Sequence, residues 1–140
     1  MMLARSLFAS ALALALTFGA AGCGGPRNYR VTGTQRDPGA DAQIQIENIA
    51  GGNHLMTITV RHLTPAARLG TGNTVFMVWI RAGSAPAALA SELEYADDTR
   101  EGTATATTPH DRFTLFVTAE RNANVTTASD FVVFTQNVEL

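Results

Sequence analysis

The stretch AQIQIENIAGGNHLMTITVRHL, residues 42–63, decides how this chain folds. In both halves apolar and polar side chains alternate, which is the period of a strand with one buried face. The central AGGN contains two glycines that can adopt the positive φ angles of a tight turn. The two halves therefore predict an antiparallel hairpin. Its buried face is predicted to consist of Ala42, Ile44 and Ile46 together with Met56, Ile58 and Val60.

The rest of the chain repeats this arrangement of short strands between turn clusters. Further strands are predicted, in order, at YRVTGT, TVFMVWIRA, LASELEYA, TATATT, RFTLFVTAE and FVVFTQNVEL. The turn clusters are rich in Gly, Pro, Asn and Asp, and residues 64–73 are expected to hold one helical turn. About eight strands at this spacing are typical of an antiparallel β-sandwich, and a closed barrel is the alternative. We expect a single all-β domain over residues 29–140.

One predicted strand differs from the others because it is apolar without interruption. Residues Val75–Ile80 contain no polar side chain apart from the indole N–H of Trp79. A continuous apolar run indicates a central strand that is covered on both faces. The second face is expected to be covered by loops or offered to a partner. Trp79 is predicted to be the core tryptophan of the sandwich or, alternatively, one wall of a ligand groove.

The second half of the domain resembles a known family. The residues that carry the likeness are Val78 and Trp79, Leu93 and Tyr95, Arg100 and Gly102, the stretch Phe113–Glu120 and the final DFVVF. Their order is similar to that of the extracytoplasmic immunoglobulin-like β-sandwich of anti-sigma-K-type membrane regulators, which is also found in many bacterial lipoproteins. The loop NVTTASD lacks the proline that this family usually has before its last strand. The resemblance implies an immunoglobulin-like fold and an extracytoplasmic compartment, and it does not imply control of a sigma factor.

The N-terminus has the organisation of a bacterial lipoprotein signal. Arg5 precedes a run of Leu, Ala and Phe, and a group of small residues then leads to Cys23, the only cysteine in the sequence. Residues 20–23 resemble the lipobox, in which a Leu and two small residues precede the acylated cysteine, although an Ala stands in place of the Leu. This pattern predicts a signal peptide over residues 1–22, lipid attachment at Cys23 and a linker over residues 23–28.

Two alternatives to lipidation remain open. Residues 6–26 carry no charge and number 21, which suffices for an uncleaved helical anchor, although the Gly and Pro residues in their second half disfavour a helix. Ordinary secretion with a free Cys23 is the other alternative. We expect lipidation and thus a lipid-anchored protein of the cell envelope. Because Gly24 and not an Asp follows the cysteine, a Gram-negative host is expected to sort the protein to the outer membrane.

Charge and cysteine content narrow the class of partner. Without the signal peptide the chain keeps nine basic residues against twelve acidic ones. No basic face for nucleic acid is therefore expected. The expected partners are the membrane, through acylated Cys23, and another envelope protein. The single cysteine excludes a disulfide within the domain, so the stability of the domain must come from its core.

No combination of residues predicts catalysis, a metal or a cofactor. His54 and His62 are eight residues apart on one strand and thus roughly 26 Å apart, too far for one metal ion. His110 and Asp111 are adjacent and would not face each other, so His110 is expected to be a turn residue. The acidic group within residues 92–101 matches no calcium loop and contains Arg100, and we expect it to be a solvated edge.

Two hypotheses for function follow from the sequence. The first is a non-enzymatic interaction or structural module that presents a surface at whichever of Phe76 or Val78 faces outward. The second is a protein that binds a small ligand or a glycan on an aromatic and acidic surface around Trp79 and Tyr95. The exposure of Trp79 distinguishes them, because the second hypothesis depends on a stacking surface at that side chain.

Overall fold

A computed structural model describes residues 24–140 as eight β-strands and one helical turn. The strands are β1 (Arg27–Thr32), β2 (Asp41–Ile49), β3 (Asn53–Arg61), β4 (Val75–Arg81), β5 (Ala88–Ala96), β6 (Glu101–Thr108), β7 (Arg112–Glu120) and β8 (Val132–Glu139). The short helix α1 (Ala66–Leu69) lies in the segment predicted to hold a helical turn. The predicted signal peptide and Cys23 lie outside the described residues. Between residues 24 and 140, no helix has the length and apolar character needed to cross a membrane.

The eight strands form one antiparallel sheet in the order β1-β2-β3-β6-β5-β4-β7-β8. The prediction of an all-β chain with about eight antiparallel strands is confirmed. The hairpin expected at residues 42–63 is β2 and β3, with Ile44 opposite Ile58. β5 changes partner along its length, because its first part pairs with β4 and Glu94–Ala96 pair with β6. β5 therefore connects the two halves of the sheet.

The outermost strands, β1 and β8, are joined by hydrogen bonds at both of their ends. The Arg27 guanidinium and the Tyr29 hydroxyl donate to the Glu139 carbonyl oxygen, at 2.8 Å and 3.2 Å. Beyond the other end of β1, the Thr34 N–H donates to the Val133 carbonyl oxygen at 2.7 Å, and the Thr34 hydroxyl donates to the preceding carbonyl at 2.7 Å. The sheet is therefore nearly closed, which protects the edge groups that an open sheet would expose.

The main core lies between the two halves of the sheet. Ile44, Ile58, Leu115, Val117 and Phe134, for example, are fully buried within it, and each such side chain stabilises the fold by about 1.5–3 kcal/mol. β6 contributes small residues to this core, namely Gly102, Ala104 and Ala106. An added Cβ at Gly102 would lie 2.5 Å from Cδ2 of Leu93, so the leucine of β5 occupies the space that β6 leaves free.

β4 is buried on both faces, as its uninterrupted apolar sequence predicts. Phe76 and Val78 point into the main core, whereas Met77 and Trp79 belong to a second buried cluster on the opposite face. Val125, Ala128 and Val132, from the β7–β8 loop and the start of β8, pack against this cluster. The chain thus covers the second face of β4 with its own loop. The sequence left open whether loops or a partner cover this face, and in the structure a loop covers it.

The β1–β2 turn connects β1 to two other parts of the fold. Within it, the Gly33 N–H donates to the Ala40 carbonyl oxygen at 2.7 Å. The buried Asp37 carboxylate accepts hydrogen bonds from the N–H and the hydroxyl of Thr64, at 2.8 Å and 2.9 Å. Since Thr34 of the same turn binds β8, this turn joins β1, β8 and the β3–β4 loop. It leaves almost no space at Gly33, where an added Cβ would lie 1.9 Å from the Asp37 carbonyl oxygen.

We predict that Gly33→Ala destabilises the domain by about 1–3 kcal/mol, the usual cost of forcing an extra methyl group into a packed site. Gly39→Ala, in the same turn, is the matched control, because a Cβ at Gly39 meets no atom within 4 Å. Urea unfolding of residues 24–140 measures the difference as a lower midpoint at unchanged m-value. Equal midpoints for the two variants would contradict the packing described for this turn.

Candidate functional site

A groove of about 600 Å³ lies on the outer face of β1, β2 and β3. It is formed by the side chains that alternate with the buried ones, and its polar lining consists of Arg30, Thr32, Asp41, Gln43, Gln45, Thr57, Thr59, Arg61 and His62. The strands twist relative to one another, as strands in sheets generally do. The groove lies on regular strands, and the side chains on the other face of β2 and β3 pack in the main core.

Three kinds of polar group stand side by side in the groove. Arg30 of β1 lies opposite Gln43 of β2, which lies opposite Thr59 of β3. Neighbouring strands are about 4.8 Å apart, so the three side chains cover roughly 10 Å across the sheet. A guanidinium offers donors only, an amide offers both donors and acceptors, and a hydroxyl offers both. The groove can therefore form hydrogen bonds with a partner over its whole width.

The charged groups of the groove differ in how far they are neutralised. The Arg61 guanidinium lies 3.7 Å from the Glu101 carboxylate, and His62 lies 3.3 Å from the Asp41 carboxylate. All four side chains are more than half exposed, so water weakens both pairs. Arg30 forms no salt bridge within residues 24–140. The β1 wall of the groove therefore presents a positive charge without a described acidic partner.

Phe76 and Val78, the two residues predicted to offer a partner surface, do not reach the outside of the domain. Phe76 is 1% exposed and Val78 is fully buried. Both alternate with Met77 and Trp79, so both point into the main core and neither faces outward. The prediction of a partner surface at these positions is wrong, because both side chains are in the core and the opposite face of the strand is covered by the chain itself.

Trp79 is fully buried in the second cluster, on the side of β4 away from the main core. Its ring is stacked near that of Phe116, with 6.5 Å between the ring centroids. A ligand has no access to either face of the indole in this structure. The prediction that Trp79 is a buried core residue, and not one wall of a ligand groove, agrees with this burial. The location differs, because Trp79 packs beneath the β7–β8 loop and not between the halves of the sheet.

A chain of hydrogen bonds accompanies the burial of Trp79. The indole N–H donates to the Thr118 hydroxyl at 2.8 Å, and that hydroxyl donates to the Glu120 carboxylate at 2.6 Å. The same carboxylate oxygen accepts the N–H of Ser129 at 2.8 Å. These bonds satisfy the polar groups that would otherwise be costly to bury. They also fix the β7–β8 loop over the second cluster.

Tyr95 is half-buried and supports a neighbouring loop. Its ring packs edge-on against Phe76 with centroids 5.2 Å apart, and its hydroxyl donates to the Leu63 carbonyl oxygen at 2.8 Å. Burial, and secondarily the negative charge of Asp97, raises the pKa of Tyr95 above its usual value, against an opposing effect of Arg100. The neutral phenol is thus the form that the fold favours. The exposed aromatic surface expected around Trp79 and Tyr95 is not formed, because Trp79 is buried and the Tyr95 hydroxyl is occupied.

The three histidines lie in three different settings. The buried His54 has Nδ1 2.8 Å from the Asn48 side-chain oxygen and Nε2 2.9 Å from the Asp111 carboxylate, and so links β2 to the β6–β7 turn. His62 is exposed beside Asp41, and His110 is exposed in the β6–β7 turn. Within the described residues, no group of three or more His, Cys, Asp or Glu side chains is arranged to hold a metal ion.

The groove was not predicted as a site, although its residues were visible in the sequence. Gln43 and Gln45 are the polar half of the alternation that predicts β2, and Thr57 and Thr59 are the polar half of β3. Such positions normally describe a solvated face. The distinguishing feature is the placement of Arg30 beside them, and that placement depends on the β1–β2 register.

Comparison of the chain with protein-family models, with curated proteins and with solved structures gave no significant match.

We predict that Thr118→Val destabilises the domain by about 1–3 kcal/mol, because it leaves the Trp79 N–H and the Glu120 carboxylate without their shared partner. Thr103→Val, on the exposed face of β6, is the control and should change stability by about 0.5 kcal/mol or less. Trp79 is the only tryptophan, so its fluorescence reports the unfolding of both variants. Indistinguishable midpoints for the two variants would show that the hydrogen-bond chain does not contribute.

Proposed function

We propose that this protein is a lipid-anchored, non-enzymatic module of the cell envelope that binds another envelope component through the groove on β1, β2 and β3. The proposed domain is an immunoglobulin-like sandwich that follows a lipoprotein signal peptide. The proposed location is the envelope, in the outer membrane if the host is Gram-negative. The observation that carries the binding role is the placement of Arg30, which has no acidic partner among residues 24–140, beside the amide and hydroxyl groups of the groove.

The tether is supported by the sequence before the domain and by where the domain starts. Residues 20–23 resemble a lipobox, and β1 begins at Arg27, four residues after Cys23. That start is two residues earlier than the boundary predicted from the sequence. The groove is lined by β1 itself, so a module tethered in this way holds the β1 side of the groove within nine residues of Cys23, or about 30 Å when the chain is extended.

The groove favours a partner that carries carboxylate groups and an extended polar surface. A carboxylate can accept two parallel hydrogen bonds from a guanidinium such as that of Arg30. The amide and hydroxyl side chains beside it can bind backbone or side-chain groups of a protein segment. The partner favoured here is therefore an envelope protein with an acidic segment.

An acidic glycan is the second candidate, and the same hydroxyl and amide lining favours it. Sugar hydroxyls and carboxylates pair with these groups as well as a peptide does. The groove contains no Trp, Tyr or Phe on which a sugar ring could stack. A protein partner is for this reason the first candidate.

The non-enzymatic part of the proposal is supported by the roles that the ionisable side chains already have. Glu120 is held by Thr118 and Ser129 beneath the β7–β8 loop, and Asp37 is held by Thr64 in the β1–β2 turn. His54 links β2 to the β6–β7 turn through both of its ring nitrogens. Each of these groups stabilises a connection of the fold, and none of them lines the groove.

The experiment places a photo-crosslinking amino acid in the groove of the full-length protein in its host. At Gln43, in the groove floor, we expect an adduct with one envelope component. At Thr135, which is exposed on β8 outside the groove, we expect none. Arg30→Gln should weaken binding about tenfold, the loss expected for one charge-assisted hydrogen bond, and should reduce the Gln43 adduct accordingly.

Arg68→Gln is the matched charge control, because Arg68 is exposed in α1 and outside the groove. It should leave the Gln43 adduct unchanged. After protease digestion, a position-43 peptide whose added mass is a glycan and not a second peptide would identify the glycan instead of the protein partner. Equal adducts at Gln43 and Thr135, or no effect of Arg30→Gln, would overturn the role of the groove.

A further inference from the structure

The strands define two ends of the domain, and the N-terminus lies at one of them. We call this the proximal end; its turns are residues 50–52, 82–87 and 109–111. Arg27 at the start of β1 lies there, opposite Ile46, and so does the C-terminal Leu140, whose N–H donates to the Asp111 carbonyl oxygen at 2.9 Å. The distal end carries the longer connections, which are residues 33–40, 62–74, 97–100 and 121–131.

Large apolar side chains are exposed at the proximal end. Ile49 is 40% exposed and Leu89 is 42% exposed, and they are the two exposed large hydrophobic residues of the described chain. Ile49 ends β2 beside the turn at residues 50–52, and Leu89 lies at the start of β5. A shallow depression next to Leu89 is lined by Ala85, Pro86, Pro109 and other residues. Both of the most exposed apolar side chains therefore lie toward the end from which the tether leaves.

The length of the linker restricts how far the proximal end can be from the anchor. Gly24–Pro26 precede Arg27, and three extended residues span about 10 Å. From Ile46, the partner of Arg27, the neighbouring strand continues for three residues to Ile49. A fully extended linker therefore ends at about the level of Ile49. A linker of this length therefore holds the domain close to whatever anchors Cys23, and it is too short to form a stalk.

We infer that the proximal end rests on the bilayer surface, with Ile49 and Leu89 in the headgroup region. The inference builds on the lipid attachment at Cys23 proposed above. Acyl chains at Cys23 fix the start of the linker at the membrane, and the linker length brings the apolar end to the same level. Two partly exposed side chains are too few to hold a domain on a membrane by themselves, so the contact depends on the tether. The distal end and the groove then face away from the bilayer or along it.

The test uses the full-length, acylated protein in vesicles of phosphatidylethanolamine and phosphatidylglycerol. A cysteine is introduced by Ser84→Cys in a proximal turn or by Thr99→Cys in a distal turn; both positions are exposed. Each is labelled with the environment-sensitive fluorophore NBD, and the introduced thiol reacts alone because the sulfur of Cys23 carries the lipid. We expect roughly twofold or greater emission at Ser84 on reconstitution, with quenching by spin-labelled lipid, and no change at Thr99.

Charge variants then test which side chains make the contact. Ile49→Asp combined with Leu89→Asp should abolish the increase at Ser84 without reducing acylation, which is measured by intact mass. Thr105→Asp combined with Thr135→Asp, on exposed strand faces, is the matched control and should leave the increase intact. Equal emission at Ser84 and Thr99 in an acylated protein would overturn the inference and leave the proposed function standing.

Two further outcomes separate the alternatives. A protein without acylation at Cys23 would overturn the tether in the proposed function and the inference that builds on it. An increase at Ser84 that disappears at one protein per vesicle would show that a second copy, and not the bilayer, covers the proximal end. That result would overturn the inference alone.

Discussion

The structure depends on the burial of β4 on both of its faces. A strand with Phe76 and Val78 on one side and Met77 and Trp79 on the other needs two apolar covers. The opposite half of the sheet supplies the first, which produces the main core. The second comes from the β7–β8 loop, and this loop is held in place because the Trp79 N–H, the Thr118 hydroxyl and the Glu120 carboxylate are satisfied together. The loop thus removes from the surface the residues that an apolar sequence would otherwise offer to a partner.

The near-closure of the sheet connects this core to the start of β1, where the proposed tether would join the domain. Because β8 returns to β1, the first and last strands meet, and Arg27 and Glu139 are joined at the proximal end. The longer connections lie at the other, distal end. The outer face of β1, β2 and β3 then remains as a polar surface whose floor cannot collapse, since the reverse side of each strand is packed into the core. The core and the groove therefore follow from one arrangement of strands.

Local patterns predicted much of the fold, because alternation and turn chemistry are written in short stretches of sequence. The β2–β3 hairpin and the two-sided burial of residues 75–80 were both readable in this way. What covers Trp79 was not, because Thr118 meets the Trp79 N–H only after β7 pairs with β4. Ser129 of the covering loop joins the same chain of hydrogen bonds through Glu120. For the same reason the sequence pointed to Phe76 and Val78 as a surface, although both are in the core. The groove also requires the β1–β2 register, which sets Arg30 beside Gln43 and which no short pattern states.

The central claim is that this fold is an envelope module held by lipid at Cys23, and the identity of the mature N-terminus tests it most directly. Intact mass and N-terminal fragmentation of the protein extracted from host membranes with detergent would measure it. The account predicts a chain that begins at Cys23 and carries the mass of attached acyl chains. A chain cleaved at another position, an unmodified Cys23, or an uncleaved N-terminus would contradict the account.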